Sequence, residues 1–160
     1  MVENKFKKIA KDVINDEIKS LQKLKSSIDK NFKKAIEAIL NCKKGKVILS
    51  GVGKSGIIAK KISSTLSSVG TPSFFVEASS CSHGDLGQIS SNDVLILLSN
   101  SGESAELKNI IQYANRNRNI TLVGIMSKKN STLYKNSDIK ILLPEVKEAG
   151  PGNIVPTSST

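Results

Sequence analysis

The most informative stretch of the 160-residue sequence is KVILSGVGKSGIIAKKI, residues 46–62. Its first six residues are largely apolar and do not alternate with polar ones, which predicts a buried strand over 46–51. A glycine-rich turn follows, and the pattern after it predicts a helix over 55–69. A continuously apolar strand that passes through such a turn into a helix is typical of a parallel α/β sheet.

Four further apolar runs predict the remaining strands: SFFV (73–76), DVLILLS (93–99), ITLVGIM (120–126) and DIKILL (138–143). Helices are predicted over 103–115 and near 131–134. Strands that alternate with helices indicate a three-layer α/β/α sandwich around a five-stranded, mostly parallel sheet. Binding loops are expected at the carboxyl ends of these strands.

Residues 1–42 have a different pattern, with no proline or glycine and with apolar residues at helical spacing. The segment predicts two helices, separated by a cap at Ser27 or Asp29. We expect the chain to divide into these N-terminal helices (1–42) and an α/β domain (43–160). The apolar stripes of the helices must pack on that domain or on another subunit: Ile9, Val13, Leu21, Leu24 and Ile28 form the first stripe, and Phe32, Ile36, Ile39 and Leu40 the second.

The net charge first suggests a nucleic-acid-binding protein, since 24 Lys and Arg face 14 Asp and Glu, a formal +10. Most of the excess lies before residue 47, and only Arg116 and Arg118 are arginines. Nucleic-acid surfaces favour arginine forks and stacking aromatics, whereas lysines at helical spacing indicate a solvated helix face. We therefore predict no nucleic-acid partner.

No run of about 18 apolar residues is present, and the first residues are charged throughout, so we predict a cytoplasmic protein without a membrane partner. Cys42 and Cys81 lack CxxC spacing and are predicted to be free thiols.

The turn GVGKSG (51–56) can bring its backbone close to a ligand. Its GxGxxG spacing is shared with dinucleotide folds, in which Glu77 would bind a ribose. Lys54 and Ser55 within the turn favour a discrete phosphate or a hydroxyl-rich ligand instead. A tight turn without a ligand is the third interpretation.

The turn SNSGES (99–104) follows the third predicted strand and carries Ser99, Asn100, Ser101 and Ser104. Hydroxyls and helix amides together form an anion cradle without a fixed positive charge. The same residues fit a capping box, with Asn100 or Ser101 as N-cap and Glu103 in the first turn. Both interpretations can hold at once.

Two further loops are polar. EASSCSHGDLG (77–87) holds the single histidine, His83, close to Asp85. Cys81 precedes them, but three ligands within five residues are hard to arrange around one ion, so no metal site is predicted. The chain closes on PTSST (156–160), a hydroxyl-rich cradle or N-cap that no helix follows.

Taken together, GVGKSGIIAKKI, GTPSFFVEA, SHGDLG, SNSGES, KEA and PTSST resemble the sugar isomerase (SIS) domain in their order and approximate spacing. Within that family they look like the D-arabinose 5-phosphate isomerases of Kdo and lipopolysaccharide synthesis, over about residues 5–160. The resemblance implies an aldose–ketose isomerisation between D-ribulose 5-phosphate and D-arabinose 5-phosphate, with no metal or organic cofactor. It also implies a homo-oligomer, a tetramer or a dimer.

The resemblance assigns roles to residues of this sequence. The catalytic set would be Lys54, Glu103 and Glu148, with Lys54 stabilising the developing oxyanion and one of the two carboxylates carrying the proton. The sugar phosphate would be bound by the glycine-rich turns, the SHGDLG loop and the terminal hydroxyls: Gly53, Ser55, His83, Asp85, Ser99, Asn100, Ser101, Ser104, Thr157, Ser158 and Ser159.

Two departures from the family pattern qualify this expectation. Gly150 stands where the family commonly has Cys, and residues 152–155 also differ. The family continues past TSST with a helix, a histidine and often CBS domains, so we expect an SIS domain that is incomplete at its C-terminus, without CBS domains and with slow or no turnover. The alternative function is a sugar-phosphate sensor, which needs the phosphate cradle but not the proton-transfer groups that Lys54 and Glu148 would supply.

Overall fold

The structure is a computed structural model that describes residues 2–150 and 155–159. Its single sheet has five strands: β1 (Val47–Gly51), β2 (Ser73–Phe75), β3 (Val94–Leu98), β4 (Thr121–Met126) and β5 (Ile139–Leu142). The strand order is β2-β1-β3-β4-β5, and every pairing is parallel. The predicted five-stranded parallel sheet is confirmed.

Among the described residues, six α-helices surround or precede the strands: α1 (Val2–Ser27), α2 (Lys30–Asn41), α3 (Lys54–Ser68), α4 (Ala78–Cys81), α5 (Leu107–Arg116) and α6 (Thr132–Asn136). A short 3₁₀ turn spans Asp85–Gln88. Asp29 caps α2 by accepting hydrogen bonds from the N–H groups of Asn31 and Phe32, which confirms the cap predicted between the first two helices.

Successive residues of a strand point to opposite faces of the sheet. Because buried strands such as β3 are continuously apolar, both faces are apolar and both are covered. Ile48 and Leu95 lie in a core with Ile110 of α5. Leu49 lies in a second core with Ala59 of α3. These two cores make the predicted three-layer sandwich.

The chain forms two compact units. The sheet unit is Asp29–Leu142, with all five strands and α2 to α6, and the terminal unit is Met1–Ile28 together with Leu143–Thr160. The division predicted at residue 42 stays a prediction.

Within the described part of the chain, the helices are too short or too polar to cross a membrane.

Candidate functional site

The sheet has a topological switch point between β1 and β3. The chain passes from β1 to β2 on one side, and β3 then lies on the other side of β1. Gly51 and Leu98 end β1 and β3 and are paired in register. The turns that follow these two strands therefore lie side by side at the carboxyl edge of the sheet, where ligands bind in open α/β folds.

The turn after β1 owes its shape to three glycines. A Cβ on Gly51 would stand 2.9 Å from the Leu98 carbonyl oxygen, and one on Gly56 would stand 2.7 Å from the Gly51 carbonyl oxygen. Gly53 is different, since its φ of 59° favours glycine while a Cβ there would meet no atom within 4 Å. Packing thus requires the outer two glycines, and the middle one faces open space.

Helix α3 starts in this turn, at Lys54, with Gly53 as N-cap and no side-chain cap. The first turn of a 15-residue helix presents backbone N–H groups and the positive end of the helix dipole. Lys54 is exposed and Ser55 is partly buried. This end of α3 therefore offers an anion both amide donors and a lysine ammonium group.

The turn after β3 is built around its own serine hydroxyls. The buried Ser99 Oγ accepts a hydrogen bond from Gly102 N–H (3.1 Å) and lies 3.0 Å from Ser104 Oγ. Ser101 Oγ accepts from Glu103 N–H at 3.2 Å. Three hydroxyls are thus held within one turn of the chain, as the predicted anion cradle requires.

The capping box predicted for this turn is wrong. Helix α5 begins at Leu107, four residues later than predicted, and Glu106 precedes it without a side-chain cap. Asn100 and Glu103 bond to the loop between β4 and α6 instead. Ser127 donates from its N–H to the Asn100 carbonyl oxygen (3.0 Å) and from its hydroxyl to Asn100 Oδ1 (2.5 Å).

Glu103 accepts two hydrogen bonds from Thr132, one from the N–H at 2.6 Å and one from the hydroxyl at 2.7 Å. These two bonds lower the pKa of Glu103 below its usual range, and the bond from the hydroxyl contributes most. Both oxygens of this predicted proton carrier are therefore engaged.

The loop after β2 reaches the same edge of the sheet, because β2 is parallel to β1. His83 is exposed, and Asp85 begins the 3₁₀ turn. Asn109 of α5 donates to the Ser82 hydroxyl at 2.8 Å, which links the loop to the helix that follows the SNSGES turn.

Cys81 in this loop is buried, and burial, together with the nearby Asp85 and Glu77 carboxylates, raises the pKa of its thiol to about 11. Both cysteines are free, as predicted. Within residues 2–150 and 155–159, no three His, Cys, Asp or Glu side chains are grouped as metal ligands would be.

The terminal unit holds the remaining predicted residues. Glu148 Oε2 accepts hydrogen bonds from the Thr157 N–H (2.7 Å), the Thr157 hydroxyl (3.0 Å) and the Ser159 N–H (3.3 Å). The Ser159 hydroxyl donates to Oε1. Burial acts to raise the pKa of Glu148, but these hydrogen bonds outweigh it and lower the pKa to about 2. Ser158 donates to Glu17 of α1 at 2.8 Å.

A family model described as the SIS domain matches residues 39–160, which include every strand and every polar turn described above. The chain belongs to the SIS domain family.

Among solved structures, an Escherichia coli CFT073 protein in complex with arabinose 5-phosphate superposes on this SIS domain with a TM-score of 0.91. The two are 35% identical, and the match covers 99% of this chain and 84% of that one. Among curated proteins, arabinose 5-phosphate isomerase KdsD of Francisella tularensis is 48% identical over 90% of this chain, and KdsD of Shigella flexneri is 41% identical over 97%. The SIS chain spans 44% and 47% of the lengths of these two isomerases.

The predicted site residues of the SIS chain divide between its two units. The sheet unit brings ten of them to the carboxyl edge of one sheet: Gly53, Lys54, Ser55, His83, Asp85, Ser99, Asn100, Ser101, Glu103 and Ser104. The terminal unit brings Glu148 together with Thr157 and Ser159 and also contains Ser158.

Sequence reasoning missed three polar residues at this edge. Ser127 and Thr132 bind Asn100 and Glu103, and a signal for them existed, because SKKNST (127–132) is a polar turn directly after a predicted strand. Ser50 of β1 is only 1% exposed, and its hydroxyl has no hydrogen-bond partner among the described residues. A buried polar group of this kind calls for water or a ligand.

Proposed function

We propose that this SIS domain catalyses the interconversion of D-arabinose 5-phosphate and D-ribulose 5-phosphate, as part of Kdo and lipopolysaccharide precursor supply. The observation that carries the proposal is the arabinose 5-phosphate complex of a protein 35% identical to this chain, whose length this chain covers to 84%. Relatives at 41% and 48% identity are named arabinose 5-phosphate isomerases.

The phosphate group is anchored in this proposal by hydroxyls more than by formal charge. Ser99, Ser101 and Ser104 lie in one turn beside the N-terminus of α3. Hydroxyl donors and helix N–H groups bind a phosphate dianion in a neutral setting. His83 and Asp85 would bind the sugar hydroxyls from the neighbouring loop.

The reaction moves one proton between two carbons. A base removes the proton from C2 of the aldose, the carbonyl oxygen at C1 takes up a proton, and an enediol or enediolate forms. The proton is then returned to C1 while the hydroxyl at C2 becomes the carbonyl of the ketose. Lys54 would stabilise the negative oxygen of the enediolate, a role that suits an exposed ammonium group at a helix N-terminus.

Glu148 is the proton carrier in this proposal. A carboxylate with a pKa of about 2 is a weak base at neutral pH. Thr157 and Ser159, which lower this pKa, are also predicted phosphate ligands. Loss of these donors would therefore raise the pKa of Glu148 and make it a stronger base.

The finer parts of the assignment are proposals of the same kind. We propose a homo-oligomer, a dimer or a tetramer, because α1 exposes apolar residues along its length, among them Ile14, Ile18 and Leu21. We predict a cytoplasmic location and no organic or metal cofactor.

An isomerase assay tests the proposal. The 160-residue chain is incubated with arabinose 5-phosphate in D₂O, and NMR follows the formation of ribulose 5-phosphate and the loss of the C2 proton signal. We expect both at a low rate, and we expect Lys54→Met to slow them by about 100-fold or more, while Lys60→Met on the exposed side of α3 changes neither rate appreciably. Binding of arabinose 5-phosphate without conversion and without proton exchange would contradict the isomerase function and favour the alternative, a sugar-phosphate sensor.

A further inference from the structure

The contact between Glu103 and Thr132 joins two turns that are 29 residues apart in sequence. Both oxygens of the Glu103 carboxylate take part, one accepting from the Thr132 N–H at 2.6 Å and the other from its hydroxyl at 2.7 Å. Thr132 is the first residue of α6, whose N-cap Ser131 accepts from the Tyr134 N–H. Glu103 thus provides a second cap for α6 from a distant part of the chain.

Neighbouring bonds fasten the same two turns. The Leu133 N–H donates to the Gly102 carbonyl oxygen at 3.0 Å, and Ser127 donates twice to Asn100. Gly102 has a φ of 67°, and a Cβ there would lie 2.2 Å from Ser131 Oγ. The SNSGES turn therefore lies directly against the start of α6, in a conformation that favours glycine.

The donors left over on the SNSGES turn are its serine hydroxyls. Ser101 Oγ accepts from the Glu103 N–H, and its hydroxyl proton has no acceptor among the described residues. The Oγ atoms of Ser99 and Ser104 lie 3.0 Å apart and share a hydrogen bond. A turn fixed by its neighbours holds these hydroxyls in position before a ligand arrives, which reduces the entropy lost on binding.

The two predicted proton carriers differ in what holds them. Glu148 accepts its hydrogen bonds from Thr157 and Ser159, which are predicted phosphate ligands. Glu103 accepts its hydrogen bonds from Thr132, which is not a predicted ligand. A carboxylate that accepts two short hydrogen bonds from one residue would have to give up one of them to take a proton. Those bonds favour its charged form.

Resting on the proposed function, we propose that Glu103 and Thr132 are positioning residues: together they hold the SNSGES turn in the shape that binds the sugar phosphate, and Glu103 is not the proton carrier. Glu103 acts through Thr132 and through the turn, without touching the reacting carbons.

Three variants and a control separate this role from catalysis. Glu103→Ala removes both bonds, and Thr132→Val removes the hydroxyl donor while keeping the side-chain shape. Glu103→Gln is the conservative variant, because its amide oxygen accepts from the Thr132 N–H and its amide nitrogen donates to the Thr132 hydroxyl oxygen. Glu37→Gln removes an exposed carboxylate on α2 and is the matched control.

Two measurements are made on each variant. The first is the hydrogen exchange rate of the Thr132 amide by NMR, and the second is the affinity for arabinose 5-phosphate by calorimetry, with kcat and KM where turnover is seen. Glu103→Ala is expected to speed the exchange and weaken the affinity, each by about tenfold. Thr132→Val is expected to weaken the affinity in the same direction, and Glu103→Gln and Glu37→Gln to stay within about threefold of the wild type.

The proposal is overturned if Glu103→Gln loses affinity or turnover as severely as Glu103→Ala, since the carboxylate itself would then be required. It is also overturned if Glu103→Ala leaves the Thr132 amide exchange unchanged. The exchange measurement needs no ligand, so a wild-type chain that fails to bind arabinose 5-phosphate counts against the proposed function alone. In that case, faster exchange in Glu103→Ala with rescue by Glu103→Gln still supports the positioning contact.

Discussion

Single hydroxyl groups, rather than the lysines that give the chain its charge of +10, form the candidate anion site. Ser99, Ser101 and Ser104 lie in one turn at the edge of the sheet, whereas most of the basic excess precedes residue 47. A neutral donor set recognises a phosphate by geometry, and salt screens it less than it would a lysine cluster.

The first prediction concerns Ser101. Among the described residues, its hydroxyl makes one hydrogen bond, which it accepts from the Glu103 N–H. Ser101→Ala should weaken the affinity for arabinose 5-phosphate by about tenfold, because one hydrogen bond to a charged group is lost. The melting temperature should stay within about 2 °C, because Ser101 is only partly buried and the substitution removes a single hydroxyl. Calorimetry and thermal unfolding check both, with Ser68→Ala on α3 as the control; an unchanged affinity would count against the cradle.

A second prediction concerns the glycines. Gly102→Ala places a Cβ 2.2 Å from Ser131 Oγ at a φ of 67° and should lower the free energy of unfolding by about 2–3 kcal/mol. Gly53→Ala has open space around it, so only the backbone strain at its φ of 59° and ψ of −127° should act, at a cost of about 1–2 kcal/mol. Urea unfolding of the two variants measures both losses. Equal losses in the free energy of unfolding would contradict the prediction that Gly102→Ala costs more.

A third prediction follows from the pKa of about 2 at Glu148. Because the folded-state pKa lies below the ordinary 4.5, the stabilisation by this carboxylate is fully present above pH 4.5 and is lost as the pH falls towards 2. Thr157→Val removes one hydroxyl donor and should raise the pKa of Glu148. Carboxyl ¹³C NMR titration measures it; a wild-type Glu148 that titrates near 4.5 would show that these bonds do not persist in solution.

Secondary-structure elements were the part of the molecule that the sequence predicted best. Strands such as β3 are continuously apolar because helices cover both faces of the sheet, and this pattern is visible without any knowledge of the partners. The start of α5 was predicted four residues too early, because Gly102 and Glu103 bond to Leu133 and Thr132. Such long-range competition for a helix start leaves no local signal in the sequence.

The opposite edge of the sheet contains an ion pair between the partly exposed Lys46 and the buried Asp93, 2.9 Å apart. Asp93 is 1% exposed and accepts hydrogen bonds from the Lys46 N–H, the Lys46 ammonium group and the Ser90 N–H. Asp93→Ala leaves three donors without their acceptor and should lower the free energy of unfolding by about 3–4 kcal/mol.

The control for this fourth prediction is an exposed ion pair on α2, in which Lys33 and Glu37 lie 3.5 Å apart. Glu37→Ala should cost no more than about 0.5 kcal/mol. Chemical denaturation of the two variants measures the difference, and a loss below about 1 kcal/mol at Asp93→Ala would contradict the importance of the buried carboxylate.

For the molecule as a whole, we propose that α1 packs against a second copy of the chain. Its apolar residues remain exposed, Leu21 to 63%. The fifth prediction is that Leu21→Glu lowers the oligomeric state measured by light scattering, while Lys23→Glu, a neighbouring surface change on the same helix, does not. A monomeric wild type would contradict the proposed homo-oligomer.

The loops that form the candidate site were predictable from the sequence, and the contacts within it were less so. The turns after β1 and β3 could be found because parallel strands place their carboxyl ends together, and the glycine and serine content of each turn is visible in the sequence. The sequence did not predict that Glu103 pairs with Thr132 or that Glu148 pairs with Ser159. Each side chain had several possible partners, and only the folded backbone selects one.

The location of the bound sugar phosphate tests the central claim most directly. Arabinose 5-phosphate is titrated into ¹⁵N-labelled protein, and the backbone amides that shift are assigned. We expect the largest shifts in residues 51–56 and 99–104, at the switch point between β1 and β3, and no comparable shifts with unphosphorylated arabinose. Shifts confined to the opposite edge of the sheet, around Lys43, Lys44 and Asn119, or the absence of any shift at millimolar ligand, would contradict a sugar-phosphate site at this edge.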